Sequence, residues 1–122
     1  MSKILVVDDD SQIRLLLRTV LEEAGYEVIE AEEGKSAVKI YSRELISVVI
    51  LDMLMPDMEG VETIRSLRAK DSEVKVIALS GGGRLPGEYY LQMMKPFKPQ
   101  YTFVKPIDPD VVLEAVGELL RE

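Results

Sequence analysis

The apolar residues of this chain fall into two rhythms. Short runs rich in branched side chains recur at residues 4–7, 48–51, 74–79 and 101–104, with a weaker run at 26–31, and each has the length of a β-strand. Val, Ile and Leu without strict polar alternation predict strands covered on both faces, as in a parallel sheet between two layers of helix. Between the runs the spacing turns helical. Over 11–24, Ile13, Leu16, Leu17, Val20 and Leu21 recur at i, i+3, i+4, i+7 and i+8, and Gly25 follows as a C-terminal stop. Weaker patterns predict helices over 34–42, 60–70 and 88–94. A clearer one covers 109–120, with Asp108 placed to cap it and Pro109 at its first position. Strand then helix, five times, predicts right-handed crossovers and a five-stranded parallel sheet with helices on both faces, an open doubly wound α/β fold. In such folds a ligand sits beyond the carboxyl ends of the strands.

Composition narrows the chemistry. A chain of 122 residues suffices for one domain with one core, and it contains neither cysteine nor histidine. Disulfides, iron–sulfur clusters, thiol catalysis, structural zinc and histidine-based triads are excluded, so acid–base or metal work falls to carboxylates, Lys, Tyr and hydroxyls. The formal charge of -7, from 15 basic and 22 acidic residues, has the wrong sign for gripping a nucleic-acid backbone. No apolar run approaches a membrane span, and Met1 leads directly into a strand-like segment, which gives the expectation of a soluble, cytoplasmic protein without membrane insertion.

The residues that end each predicted strand are Asp8, Asp9 and Asp10 after the first, Asp52 after the third, Ser80 after the fourth and Lys105 after the fifth. A lone Asp at a strand end is ordinarily a turn or cap residue. Several acidic residues converging on one sheet edge with a lysine make a constellation. Clustered carboxylates repel one another unless a cation lies among them. Oxygen ligands without His or Cys select a hard ion, and a small set that leaves room for water and phosphate favours Mg2+ over Ca2+. Asp52 ends an apolar strand and is followed by Met53, Leu54 and Met55. A carboxylate so placed can attack phosphorus to form an acyl phosphate once repulsion is screened, and Mg2+, the Lys105 ammonium and the Ser80 hydroxyl would supply the screening.

Through ILVVDDD (4–10), VVILDMLMPDMEG (48–60), VIALSG (76–81) and FVKPI (103–107), the chain resembles the response regulator receiver family over essentially its whole length. The resemblance implies a single receiver domain over 1–122 with no output domain, and the strand order 2-1-3-4-5. By the same match Asp52 is the phosphoacceptor, and Asp8 and Asp9 are the acidic pair, with Asp9 the more direct Mg2+ ligand. Asp52 and the backbone carbonyl of Leu54 complete the metal set, Ser80 is the hydroxyl switch, and Lys105 is the family's lysine, with Pro106 after a cis peptide. Asp10 is left as a helix-start residue. The implied donor is a sensor histidine kinase or phosphotransfer protein. Output goes to a separate protein through the face around the fourth helix, the last strand and the last helix, with no turnover of an external substrate.

Two features depart from the family pattern. Thr102 stands where the family carries Tyr or Phe, and Tyr101 is expected on the opposite face of the strand. Ser80 and Lys105 are 25 positions apart, a longer segment than the family's. In it Gly81, Gly82 and Gly83 form a hinge, and Pro96 and Pro99 cut the fourth helix short. Met53, Met55 and Met58 are expected to pack, Met93, Met94, Tyr89 and Tyr90 to face a partner, and Glu22, Glu23, Glu30, Glu32 and Glu33 to be solvated. Two other classes stand beside the receiver. One is a hydrolase with Asp52 or Asp8 as nucleophile, although Gln12 occupies the Thr position of the haloacid-dehalogenase-like pattern. The other is an unphosphorylated interaction module or flavin-binding protein of the same architecture.

Overall fold

The computed structural model describes residues 1–55, 59–81, 92 and 95–121. Five strands, β1 (Lys3–Val7), β2 (Glu27–Ala31), β3 (Val48–Asp52), β4 (Val76–Ser80) and β5 (Tyr101–Val104), pair in parallel in the order β2-β1-β3-β4-β5. Among the described residues four α-helices accompany them: α1 (Ser11–Glu23), α2 (Gly34–Arg43), α3 (Glu59–Lys70) and α4 (Pro109–Arg121). A 3-10 turn at Lys95–Phe97, containing Pro96, precedes β5. The doubly wound α/β fold expected from the alternation is the observed one. The helix expected over 88–94 lies outside the described residues apart from position 92, as do Gly82, Gly83, Met58, Met93, Met94, Tyr89 and Tyr90. No described helix is long and apolar enough to cross a membrane.

Side-chain parity along the strands splits the core in two. Leu5, Val7, Val49, Leu51, Val76 and Ala78 pack with Ala37, Ile64 and Leu67 beneath α2 and α3. Ile4, Val6, Val48, Ile50, Ile77 and Leu79 pack with Leu17, Leu21, Val116 and Leu119 beneath α1 and α4. Strands buried on both faces have no solvent side, which explains their unbroken apolar sequence. Each fully buried Leu, Ile or Val contributes about 1.5–3 kcal/mol relative to exposure.

The helix ends follow the expected chemistry. Asp10 caps α1 by accepting the Gln12 amide at 2.9 Å, Asp108 accepts the Asp110 amide at 2.9 Å, and Gly25 leaves α1 with φ +96°. Three details correct the sequence reading. Leu16 sits at the margin of the α1 stripe and is 42% exposed. Val74 precedes β4 instead of opening it, because its amide turns back to the Asp71 carbonyl at 3.2 Å and its own carbonyl is taken by Arg68. Glu30 is not a solvated charge: its carboxylate is partly buried between Arg14 and Arg18.

Candidate functional site

The expected strand-end residues meet at one edge of the sheet. Asp8 follows β1, Asp52 and Ser80 end β3 and β4, and Lys105 follows β5. Because the central strands pair in register, Asp52 stands opposite Leu79 and Ser80 opposite Val104. Asp8, Asp52 and Ser80 are buried, whereas Asp9 is exposed at the rim. One carboxylate oxygen from each of Asp8, Asp9 and Asp52 lies within 4.8 Å of the others. Lys105 Nζ reaches Asp8 Oδ2 at 3.2 Å and Asp52 Oδ1 at 3.3 Å. Beside them lies a cleft of about 420 Å³ lined by Asp9, Asp10, Ile13, Asp52, Leu54, Gly81 and Lys105.

Local backbone geometry fixes most of these side chains. The Leu54 amide donates to Asp52 Oδ1 at 2.9 Å, and the Asp10 amide donates to Asp8 Oδ1 at 2.9 Å. Lys105 is held to the end of β4 by its amide, which donates to the Ser80 carbonyl at 2.6 Å, and the Lys105–Pro106 peptide is cis, as the family resemblance implied. Gly81 takes φ +97°, where a Cβ would also stand 3.0 Å from Val104 Cγ1, so glycine suits the turn out of β4 on both counts.

Two polar atoms stand apart. Asp52 Oδ2 and Ser80 Oγ are buried without a hydrogen-bond partner among the described residues. A buried acceptor or hydroxyl left unmet costs stability. Burial pushes the Asp8 carboxyl up to about 6; the Asp10 amide opposes the rise, and repulsion from Asp52 adds to it. Burial alone would lower the Lys105 ammonium, but the attraction of Asp52 and Asp8 outweighs it and holds the group above its usual value. The three carboxylates, with Asp52 Oδ2 left open, make an all-oxygen donor set that fits a hard divalent cation such as Mg2+, and the Lys105 ammonium beside them balances their charge. A larger groove of about 600 Å³ lies between α2 and α3, where Lys35 and Lys39 face Glu59 and Glu62; it contains none of this chemistry.

Thr102 is exposed, and Tyr101 and Phe103 lie on the other face of β5 with rings stacked at 6.0 Å, the Tyr101 phenol bonded to Glu118. The described part of β5 therefore offers no aromatic side chain on the Thr102 face. One contact escaped the sequence reading. Arg14 Nη1 donates to the Asp8 carbonyl at 2.7 Å while its Nε donates to Glu30 Oε1 at 2.9 Å. Its signal in the sequence is faint: an arginine beside Ile13, one helical turn before Leu17 and thus at the flank of the buried stripe.

A family model described as the response regulator receiver domain matches residues 4–117. Sporulation initiation phosphotransferase F of Bacillus subtilis is 35% identical over 118 residues, covering 97% of this chain and 93% of that protein. Chemotaxis protein CheY of Listeria monocytogenes is 38% identical over 122 residues, covering 99% of this chain and 100% of that protein. The crystal structure of the response regulator TrrA of Thermotoga maritima, in complex with Mg2+-BeF, superposes with a TM-score of 0.83 at 34% identity, covering 98% of this chain and 99% of the other. Matched from β1 into α4, the chain belongs to the response regulator receiver domain family.

Proposed function

We propose that this chain accepts a phosphoryl group on Asp52 from a phosphohistidine of a sensor histidine kinase or phosphotransfer protein. Mg2+ is held by Asp8, Asp9, Asp52 and the Leu54 backbone carbonyl, and the signal passes to a separate protein. The observation that carries this reading is the buried Asp52 carboxylate, grouped with Asp8 and Asp9 within 4.8 Å and 3.3 Å from Lys105, with Oδ2 left without a hydrogen-bond partner among the described residues. The donor is another molecule, because the chain has no histidine.

A carboxylate oxygen of Asp52 forms the new O–P bond as the donor's P–N bond breaks, and the leaving histidine nitrogen keeps the electron pair. The Asp52 carboxylate is oriented for this by the Leu54 amide, which occupies one of its oxygens. Lys105, within 3.3 Å of Asp52, neutralises charge on the transferred group. The bound cation supplies charge screening between carboxylate and phosphoryl oxygens. Ser80 Oγ then has an acceptor, and the hydrogen bond it donates pulls on the end of β4. Ser80 pairs with Val104 across β4 and β5; Val104 is 55% exposed and Val111 of α4 is 43% exposed. These apolar side chains give the β5–α4 face something for a partner to read.

Intact mass spectrometry with Mg2+ and a small phosphodonor tests the reading. The expected result is a single phosphoryl adduct, labile to hydroxylamine and lost both in Asp52→Asn and after metal chelation. An adduct that survives Asp52→Asn overturns the assignment. A folded chain that takes no phosphoryl group from the small donor or from phosphohistidine proteins overturns the function.

A further inference from the structure

The geometry points to Arg14 as a positioning residue for the metal-binding turn: it clamps the Asp8 main chain to Glu30 and so holds Asp8 and Asp9 in the arrangement that takes the cation. The inference deepens the proposed function and rests on it. The carbonyl that Arg14 grips belongs to the peptide joining Asp8 to Asp9, so its orientation sets how both carboxylates leave the backbone. The other side of the same residue is held by β2 directly, through the Asp8 amide and the Ala31 carbonyl at 3.1 Å. Arg14 extends that hold to the carbonyl by way of Glu30, which pairs with Val6 across β1 and β2.

The acceptor is itself fixed. Glu30 takes Arg14 Nε at one oxygen and Arg18 Nη1 at the other, and Arg18 is steadied in turn by Glu22 at 3.3 Å. Arg14 is only 15% exposed in its side chain. A planar guanidinium can present Nε and Nη1 to two fixed acceptors at once, whereas a lysine ammonium is a point charge on a flexible stem. Outer groups of this kind commonly tune metal affinity without touching the metal.

The sign of the effect separates positioning from simple electrostatics. As a cation near the acidic cluster, Arg14 opposes a second cation, so removing its charge alone would tighten Mg2+ binding. Loss of the clamp weakens it. The test is calorimetric titration of Mg2+ into the unphosphorylated protein, with folding checked by circular dichroism. Arg14→Ala is expected to raise the dissociation constant about tenfold, and Arg14→Lys to show much of that rise despite its retained charge. The double variant Arg14→Ala with Glu30→Gln is expected to bind no more weakly than Arg14→Ala alone, because both changes break one clamp. As a control, Arg68→Ala, which removes a guanidinium clamp distant from the site, leaves the Mg2+ constant unchanged.

Arg14→Ala that binds Mg2+ as tightly as the wild type, or more tightly, overturns the inference and leaves the proposed function standing. If Arg14→Ala does not fold, Arg14→Lys carries the test, and wild-type affinity in that variant overturns the inference. A wild-type chain that takes up no Mg2+ overturns the metal reading beneath it, and the inference with it.

Discussion

Gly60, the second residue of α3, lies against the backbone of Met53: a Cβ there would stand 2.7 Å from Met53 Cα and 2.9 Å from the Asp52 carbonyl oxygen. Neither atom belongs to a side chain that can turn aside, and Met53 is fully buried. Gly60→Ala is therefore expected to push α3 away from the turn that carries Asp52, at a cost of about 1–3 kcal/mol in urea unfolding. Phosphorylation by a small donor is expected to slow in the same variant. Unfolding at the wild-type midpoint would mean that α3 moves aside freely.

Ser80 invites the opposite outcome. Its hydroxyl is buried and unpartnered in the unphosphorylated chain, so deleting it removes an unmet polar group and leaves only a small void. Ser80→Ala is expected to leave stability unchanged or raise it by up to about 1 kcal/mol. The adduct on Asp52 is expected to form, but the methyl resonances of Val104 no longer move when it does. A Val104 response of wild-type size in Ser80→Ala assigns the coupling to another group.

What could be read from the chain, and what could not, follows from the range of each interaction. The doubly buried strands declare themselves because every position of 4–7 or 48–51 faces a helix, and α1 does so because its stripe is written in adjacent turns. Asp8, Asp52, Ser80 and Lys105 are legible as a site because a parallel sheet brings all strand ends to one edge. The Arg14–Glu30 pair is not, since it depends on the register of β2 against β1, which leaves Glu30 looking like any other surface acid. Val74 illustrates a second limit: an apolar residue two positions before a strand is held in the preceding turn by its amide's bond to the Asp71 carbonyl and by Arg68 on its own carbonyl, neither of which hydrophobicity alone reveals.

The buried Asp8 carboxyl sets a pH dependence. Its value near 6 lies above the ordinary 3.8, so between those limits the folded chain binds a proton that the unfolded chain has released. The stability contributed by Asp8 is full below the ordinary value and is lost as pH rises through about 6. Asp8→Asn is thus expected to stabilise the metal-free protein at neutral pH and to remove that part of the pH slope. Because a cation must displace the same proton, the rise in melting temperature on adding Mg2+ is expected to be larger at about pH 7.5 than at about pH 5. Equal increments at the two pH values would assign metal binding to groups other than Asp8.

Arg68 makes a second guanidinium clamp, at the opposite end of the sheet. From the last turns of α3 its Nε donates to the Phe97 carbonyl and its Nη2 to the Lys98 carbonyl, both at 2.9 Å, while Nη1 donates to the Val74 carbonyl. It therefore joins the segments that lead into β4 and β5. One of its acceptors is Lys98, a non-glycine residue held at φ +46°. The Gln100 side chain finishes the junction by accepting the Val76 amide at 2.8 Å. Arg68→Ala strips donors from several carbonyls at once and is expected to cost about 1–3 kcal/mol in urea unfolding. Arg68→Lys is expected to restore less than half of that loss, because one ammonium cannot serve carbonyls spread around a planar fork. An Arg68→Ala variant as stable as the wild type would show that water replaces the arginine at these carbonyls without loss.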